Sequence, residues 1–434
     1  MFFVYQIILS FLLLISPLII FYRVIKKKED RKRFIEKFSF PTKKKKKKKK
    51  KFKEKFSFPT KKKQSGKLIW FHGASVGEIL SIIPIIKYYE RKKNINQILI
   101  TSSTLSSSKI INKFKFKKVI HQFYPVDYFF FTNKFLNYWK PKIAIFVESE
   151  IWPCMFKNVF ERKIPLILLN ARLTKKTFKR WSSFKKFAKS VFQKITIAYP
   201  QNNETKHYLK KIGKINLNKI GNLKFCENYN EISNRIDKKI NLKFKKKKTW
   251  VASSTHKGEE VFCAKAHVEI KKKFKKVITI IIPRHVHRSD EIISEIENLN
   301  LKVVSHSLKP KKLDNVDIYL VDTFGETDKF HKIGSSVFLG GSVIKRGGQN
   351  PLEAARQGAR ILHGPNTDNF RDVYKLLKSL GISKKINTHK QLASLITFKR
   401  SKIKGSKIKV IGQKIIEKTL KELDYIINNE FKKT

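Results

Sequence analysis

The chain opens with a long apolar run and then alternates short strand-like runs with helical patterns. Residues 2–22 are apolar apart from Gln6, Ser10, Ser16 and Pro17, a run long enough to cross a bilayer as a helix. Further on, short apolar runs recur, and several lead through a small-residue turn into a segment with apolar positions at helical spacing. This alternation predicts an α/β fold with parallel sheets.

The strand-like runs form two groups, separated by a polar, lysine-rich stretch at residues 228–248. We therefore predict one Rossmann-like domain at 67–227, a linker at 228–248 and a second Rossmann-like domain at 249–434 that ends in an amphipathic helix over 410–429. The predicted strands are residues 67–72, 98–102, 143–147, 164–169, 195–199, a strand that begins at 249, 277–282, 318–321, 338–339 and 360–362.

Positive charge directly after the apolar run predicts how that run is oriented. Arg23 is followed by Lys26, Lys27 and Lys28, so the positive-inside rule puts the rest of the chain in the cytoplasm. There is no basic segment before the run and no small-residue cleavage site, which favours an anchor over the alternative of a cleaved signal peptide. We predict a transmembrane anchor at 1–23 and a basic low-complexity tether at 24–66, in which the sequence EKFSFPTKKK occurs twice.

The composition is strongly basic, with 97 Lys and Arg against 33 Asp and Glu and a net charge of +64. Only 15 of the 97 are Arg, and runs of Lys are low-complexity sequence. The charge predicts attraction to an anionic lipid surface. We expect no nucleic-acid binding, because no aromatic stacking or zinc module accompanies the charge. The three cysteines are far apart and predict neither disulfides nor a zinc site.

Carboxylates follow two predicted strands of the first domain. Glu78 ends the turn after the first strand, and Glu148 and Glu150 come directly after the strand at 143–147. The carboxyl ends of parallel strands are where α/β proteins bind ligands. One of these groups could act as an acid, a base or a positioning group; the alternative is that they complement a helix dipole or form ion pairs.

A glycine-rich loop in the second domain, residues 340–348, leads into a helical pattern that starts at Pro351. Such a loop lets backbone amides approach a phosphate, Glu353 could bind a ribose diol, and Asn350 could cap the helix or hold a ligand oxygen. Arg284, at another strand end, could clamp a phosphate. The alternative is an ordinary strand, loop and helix. His285 and His287 have no carboxylate or Cys at ligand spacing, so no metal site is predicted.

Together these motifs resemble the Kdo transferases of lipopolysaccharide synthesis, membrane-anchored enzymes that move 3-deoxy-D-manno-octulosonic acid (Kdo) from CMP-Kdo to the lipid A precursor. The similarity covers residues 67–370, and the N-terminal anchor also matches. The motifs that carry it, in the family's order, are HGASVGE, ESEIWP, NARLT, GNLKF, SSTHKGEE, IPRH, DTFGE, GGSVIKRGGQNPLE and GPNTDNF.

The resemblance implies a GT-B glycosyltransferase with two Rossmann-like domains facing across a cleft, an acceptor-binding one first and a CMP-sugar-binding one second. It implies an inverting, metal-independent mechanism with CMP-Kdo as donor substrate and no cofactor. The acceptor would be the lipid A precursor, the tetraacyldisaccharide 4'-phosphate. The location would be the inner membrane, single-pass, with both catalytic domains on the cytoplasmic side.

The resemblance also implies roles for particular residues. Glu78 matches the proton acceptor, and Glu148 and Lys224 match positions that stabilise the transition state. The residues that match the family's CMP-binding segments are Pro283, Arg284, Phe324, Gly325, Glu326, Asn350, Pro351, Leu352 and Glu353.

The chain departs from the family pattern at two positions. Gln349 stands where the family usually has His, and Thr327 where it usually has Leu. Gln cannot titrate near neutral pH, so a proton-handling role at that position would be lost. Two alternatives stay open beside the Kdo transferase: a GT-B enzyme with another activated sugar, and an inactive basic protein tethered to the membrane.

Overall fold

The computed structural model describes residues 2–26, 29–39, 66–226, 242, 244, 247–310 and 312–432. Most of the predicted tether and linker lies outside these residues. The chain divides into two compact units. Unit 1 comprises Met1–Asn228 and Gly412–Thr434, and unit 2 is Tyr229–Ile411.

Unit 1 is built on a parallel sheet of six strands in the order β3-β2-β1-β4-β5-β6. Because β1 is flanked by β2 on one side and β4 on the other, the sheet has a topological switch point at β1. The strands are β1 (Leu68–His72), β2 (Gln97–Ser102), β3 (Val119–Phe123), β4 (Ile143–Val147), β5 (Leu166–Ala171) and β6 (Ile197–Pro200).

Helices cover the unit 1 sheet, and strands buried on both faces carry the near-continuous apolar runs that such a sheet requires. Trp70 on β1 and Phe146 on β4 have no exposed surface, and their rings pack edge to face at 5.0 Å. The helices before the linker are α1 (Phe2–Ile25), α2 (Val76–Arg91), α3 (Leu105–Lys113), α4 (Phe129–Trp139), α5 (Pro153–Glu161), α6 (Lys175–Ser182), α7 (Lys185–Phe192) and α8 (Asn203–Ile212).

Unit 2 contains a parallel sheet of seven strands in the order β13-β12-β11-β7-β8-β10-β9. Its switch point is at β7, which lies between β11 and β8. The strands are β7 (Lys248–Thr255), β8 (Val277–Pro283), β9 (Val303–Ser305), β10 (Ile318–Leu320), β11 (Ser336–Leu339), β12 (Arg360–His363) and β13 (Ser383–Lys385).

The helices of the second half are mostly short. They are α9 (Glu259–Lys273), α10 (Ser289–Glu297), α11 (Thr327–His331), α12 (Leu352–Arg356), α13 (Arg371–Ser379), α14 (His389–Leu395) and α15 (Lys402–Lys432). The two Rossmann-like sheets confirm the predicted α/β class.

The C-terminal helix differs from the prediction, which assigned it entirely to the second domain. From Gly412 onward α15 belongs to unit 1. Cys226 Sγ donates to Gly412 O at 3.2 Å, and Tyr199 OH donates to Glu422 Oε2 at 3.2 Å. A side chain at position 412 would collide with Phe225 O, so glycine allows this close approach.

The strand predictions hold best where the apolar run is long. The residues of β4 match the prediction, and β1, β2 and β8 differ from it by one residue at an end. The predictions missed β3, whose apolar run is interrupted by His121 and Gln122, and β9 and β13, which are only three residues long. The helix predicted to start at Pro351 is short, because α12 begins at Leu352 and ends at Arg356.

Candidate functional site

Glu78 lies in the first turn of α2, at the carboxyl end of β1. Ser75 Oγ accepts a hydrogen bond from Glu78 N at 3.3 Å, and Glu78 Oε2 accepts from Ala74 N at 2.7 Å and from Ser75 N at 3.4 Å. This reciprocal arrangement is a capping box. It fixes the carboxylate at the switch point of the sheet, beside the turn that the sequence predicted.

Glu78 is hard to ionise in this position. Burial, followed by repulsion from Glu150 and then from Glu148, raises its pKa from 4.5 to about 7, although the bonds from Ser75 and Ala74 oppose the shift. A carboxyl group with a pKa near neutrality can both hold and release a proton under physiological conditions.

Glu148 and Lys224 form an ion pair close to Glu78. Lys224 Nζ lies 2.8 Å from Glu148 Oε1, and the two side chains are only 14% and 6% exposed. Glu148 has a φ of 58°, a left-handed conformation that is costly for a non-glycine residue and that clusters at functional sites. The structure therefore brings together all three predicted catalytic residues of unit 1.

His72 and Glu150 form a second pair that sequence reasoning did not identify. His72 Nε2 lies 3.0 Å from Glu150 Oε2, and Trp152 Nε1 donates to the same oxygen at 2.9 Å. On its other side the His72 ring contacts Thr101 Oγ1 at 2.9 Å. These partners hold the Glu150 carboxylate where its charge acts on Glu78.

In unit 2, the residues predicted to bind CMP lie on loops and helix starts after the strands. Pro283 ends β8, exposed Arg284 follows it, and Phe324 is 78% exposed. Gly325 has a φ of 83°, and Glu326, the residue immediately before α11, pairs with Lys329 at 2.6 Å.

The start of α12 holds the other four predicted residues. Asn350 Oδ1 accepts from Leu352 N at 3.1 Å, so the Asn350 side chain satisfies the first backbone amide of the helix from two residues before it. Pro351 is the residue immediately before the helix, and Glu353 lies in its first turn with its side chain 24% exposed.

The glycine-rich loop is organised by a glutamate that the sequence analysis left without a role. Glu259, which has no exposed surface, accepts hydrogen bonds from the backbone amides of Gly341, Ser342 and Val343 at 2.6–3.1 Å. It also accepts from His256 N at 3.1 Å. These three loop amides are therefore satisfied by protein, which differs from the prediction that the loop amides approach a phosphate.

Cationic groups gather beside this loop. His256 follows β7, and its pKa is lowered by burial and then by the positive charges of His285, Arg346, Arg284 and Arg288. Its Nε2 is buried and has no hydrogen-bond partner among the residues that the structure describes. A cluster of Arg side chains around such a ring favours an anionic ligand. His256 and Arg346 were not among the predicted site residues.

One group of side chains in unit 2 has ligand spacing. The ligand atoms of Asp328, His331 and Glu353 lie within 4.8 Å of one another. His331 Nδ1 is 4.0 Å from Glu353 Oε2, and burial lowers the pKa of His331 to about 4. The imidazole is therefore neutral at physiological pH.

Two parallel Rossmann-like sheets in one chain, each with polar groups at its switch point, define a GT-B-like fold. Among solved structures, UDP-GlcNAc 2-epimerase from Neisseria meningitidis, bound to UDP-GlcNAc, aligns with a TM-score of 0.54 at 12% identity. The alignment covers 82% of this chain and all of that one. At this identity the likeness concerns the fold alone.

Sequence comparison identifies the family. The family model described as 3-deoxy-D-manno-octulosonic-acid transferase (kdotransferase) matches residues 50–227. The 3-deoxy-D-manno-octulosonic acid transferase of Rickettsia felis is 31% identical over 82% of this chain and 77% of that protein. The corresponding Rickettsia bellii protein is 30% identical over 90% and 89%. This chain therefore belongs to the Kdo transferase family of glycosyltransferases.

Proposed function

We propose that this chain transfers Kdo from CMP-Kdo to the lipid A precursor, the tetraacyldisaccharide 4'-phosphate, with Glu78 as general base. The observation that carries the proposal is the Glu78 carboxyl group, which is fixed at the switch point of unit 1 and has a pKa of about 7. A general base works best when its pKa lies near the operating pH.

In the proposed reaction, a sugar hydroxyl of the acceptor gives its proton to Glu78. The hydroxyl oxygen forms a bond to the anomeric carbon of Kdo while the bond from that carbon to the phosphate of CMP breaks. Attack from the face opposite CMP inverts the configuration. The electron pair of the broken bond leaves with CMP, whose phosphate gains negative charge.

Lys224 and Glu148 are proposed to stabilise the transition state. The Lys224 ammonium is held by Glu148 at 2.8 Å and is largely shielded from water, and a positive charge in such surroundings interacts more strongly with developing negative charge than it would in water. Glu148 in turn keeps the ammonium in one position between substrates.

Unit 2 is proposed to bind CMP. Arg284 and Arg346 provide the positive charge for the phosphate, the His256 ring lies beside them, and Glu353 provides an acceptor for the ribose hydroxyls. The remaining contacts are proposed for Pro283, Phe324, Gly325, Glu326, Asn350, Pro351 and Leu352. Because the cations can neutralise the leaving phosphate, we propose that the reaction is metal-independent.

We also propose that α1 holds the enzyme at the cytoplasmic face of the inner membrane. The helix is 24 residues long and apolar enough to cross a membrane, and the acceptor is itself a lipid. A helix that crosses the bilayer and a helix that lies in its surface would both serve, and the contacts of α1 distinguish between them below.

The test is transfer by the purified full-length protein from CMP-Kdo to the tetraacylated precursor, read by mass spectrometry. We expect a product heavier by one or more Kdo units, and the mass counts the additions. UDP-GlcNAc serves as the competing donor. Transfer from UDP-GlcNAc but not from CMP-Kdo would favour another activated sugar, and CMP binding without any transfer would favour an inactive binding protein.

A further inference from the structure

Helix α1 has two different faces. Residues such as Phe2, Tyr5, Gln6 and Ser10 lie on a half-buried stripe that contacts unit 1. The opposite face is apolar and open, and Val4, Phe11 and Leu18, which are spaced seven residues apart, are 49%, 64% and 72% exposed. The polar residues near the start of the helix thus lie against protein, and the large apolar residues do not.

The N-terminal end of α1 is docked on unit 1 by hydrogen bonds. Tyr5 OH donates to Asp127 Oδ2 at 2.9 Å, and Gln6 Nε2 donates to Cys154 Sγ at 3.2 Å. Asp127 also accepts from the backbone amides of Cys154 and Met155, at 3.0 and 2.8 Å, at the start of α5. The ring of Phe2 packs against that of Phe187, with centroids 5.1 Å apart.

The segment that follows the C-terminal end of α1 contacts the same loop of unit 1, next to Asp127. Glu29 Oε2 binds Arg23 Nε at 3.0 Å and Lys37 Nζ at 2.8 Å. Lys37 O then accepts from Val126 N at 2.8 Å. Val126 and Asp127 are neighbours in sequence, so one loop of unit 1 holds the chain on both sides of the helix.

These contacts do not fit a helix that crosses the bilayer. Tyr5 and Arg23 are 18 residues apart, which is about 27 Å along a helix, close to the ~30 Å thickness of the hydrocarbon core. A crossing helix would put Tyr5 near the surface opposite to Arg23, out of reach of Asp127. We propose instead that α1 lies in the plane of the membrane, with its stripe on unit 1 and its apolar face in the acyl chains of the cytoplasmic leaflet.

The surroundings of α1 suit a lipid surface. Exposed aromatic side chains stand beside the helix start, where Phe160 is 55% exposed. Lys157 Nζ lies 5.7 Å from the Phe2 ring, and Lys194 Nζ lies 5.8 Å from the Phe2 ring and 5.0 Å from the Phe160 ring. Lysines that lie on apolar groups and reach toward water are typical of membrane interfaces. Their charge is complementary to anionic headgroups.

An in-plane helix would hold unit 1, which carries Glu78, against the membrane face where a lipid acceptor lies. This consequence rests on the proposed function, whereas the disposition of α1 rests on its contacts alone. Its test below does not depend on transfer, so the failure of one is distinguishable from the failure of the other.

The test measures the depth of three points on the exposed face. Val4→Cys, Phe11→Cys and Leu18→Cys are made separately in the full-length protein, labelled with a nitrobenzoxadiazole fluorophore and reconstituted in vesicles of phosphatidylethanolamine and phosphatidylglycerol. The three native cysteines are buried, so the similarly treated unsubstituted protein gives the background. Lipids with spin labels at different acyl positions then quench each fluorophore according to its depth.

For an in-plane helix, we expect the three probes to be quenched at the same shallow depth, within a few ångströms. Two results would overturn the proposal. In a crossing helix the probe at position 11 would lie deeper than those at 4 and 18, by about 10 Å for seven residues of helix. Absence of quenching at all three positions would mean that α1 does not enter the lipid.

Discussion

Each sheet carries a glutamate in the first turn of the helix that follows its central strand, and the two glutamates differ in their surroundings. Glu78 follows β1 and Glu259 follows β7. Glu78 is half-buried, accepts hydrogen bonds from two backbone amides of its own turn and lies near two other carboxylates. Glu259 is fully buried and accepts from four backbone amides, three of them in a distant loop.

The difference separates a reactive carboxylate from an organising one. Burial, and after it the negative charge of Glu150 and Glu148, raises the pKa of Glu78 to about 7, so its ionised form is easily protonated. Glu259 uses both of its oxygens to accept hydrogen bonds from backbone amides and so fixes the glycine-rich loop. A glutamate in the first helical turn after a central strand can therefore serve as a reactive group or as a structural one. Residues distant in sequence, such as Glu150 near Glu78 and the glycine-rich loop near Glu259, decide which.

The largest effect is expected for Glu78→Gln, which keeps the shape of the side chain but removes the base. We expect the rate of Kdo transfer to fall by about 10²–10⁴-fold, the usual contribution of a general base. CMP affinity should not change. Activity by mass spectrometry and CMP binding by calorimetry check this. Glu204→Gln, an exposed first-turn glutamate of α8, is the matched control and should transfer normally.

The next largest effect is expected for Lys224→Met. It leaves the nearly buried Glu148 carboxylate without its partner, and such a loss typically costs ~3–5 kcal/mol. Lower thermal stability and a strongly reduced kcat are expected. Lys219→Met, on the exposed surface nearby, should change neither. A Lys224→Met protein with unchanged kcat would contradict the role assigned to the ammonium.

Glu259→Gln should affect unit 2 differently. The new NH₂ group faces amide donors, and a buried donor without a partner costs about 1–3 kcal/mol. We expect lower stability and a higher KM for CMP-Kdo, with little change in the pH dependence of the rate. Glu269→Gln on the same helix is the control. A shift in the pH profile of Glu259→Gln would show that the two glutamates are not functionally distinct.

The smallest effect concerns stability against pH. Because the native pKa of Glu78 is about 7 and its ordinary value is 4.5, the native state binds this proton more tightly than the unfolded chain. The stabilisation is present below about pH 4.5 and is lost as the pH rises through 7. Wild type should therefore lose stability relative to Glu78→Gln as the pH rises from about 5 to about 8, so the Tm of the variant minus the Tm of wild type should increase over this range. A Tm difference between variant and wild type that is the same at pH 5 and at pH 8 would argue against the raised pKa of Glu78.

Much of the fold follows from local sequence, because short continuous apolar runs such as β4 and β8, followed by turn residues, are typical of buried strands in a parallel sheet. The edge strand β3, in which His121 and Gln122 interrupt the apolar run, and the three-residue strands β9 and β13 were missed because their hydrophobic pattern is short. The end of α15 belongs to unit 1 because Gly412 and Glu422 contact residues of that unit some two hundred positions earlier. No local sequence pattern predicts such contacts.

The site was predictable to a similar extent. Glu78, Glu148 and Lys224 were identified, the last through the family resemblance, and the structure brings them together. The pairing of His72 with Glu150 and of Glu259 with the glycine-rich loop was not identified. Each joins residues that are 78 or more positions apart, so only the folded sheet brings them into contact.

The most direct test of the central claim is the pH dependence of kcat/KM for wild type and Glu150→Gln. Our account predicts that the wild-type value rises with pH through an inflection near 7, because Glu78 must be ionised to accept a proton. Glu150→Gln removes a neighbouring negative charge, so the inflection should move to lower pH. An inflection that stays in place in Glu150→Gln would contradict Glu78 as the base.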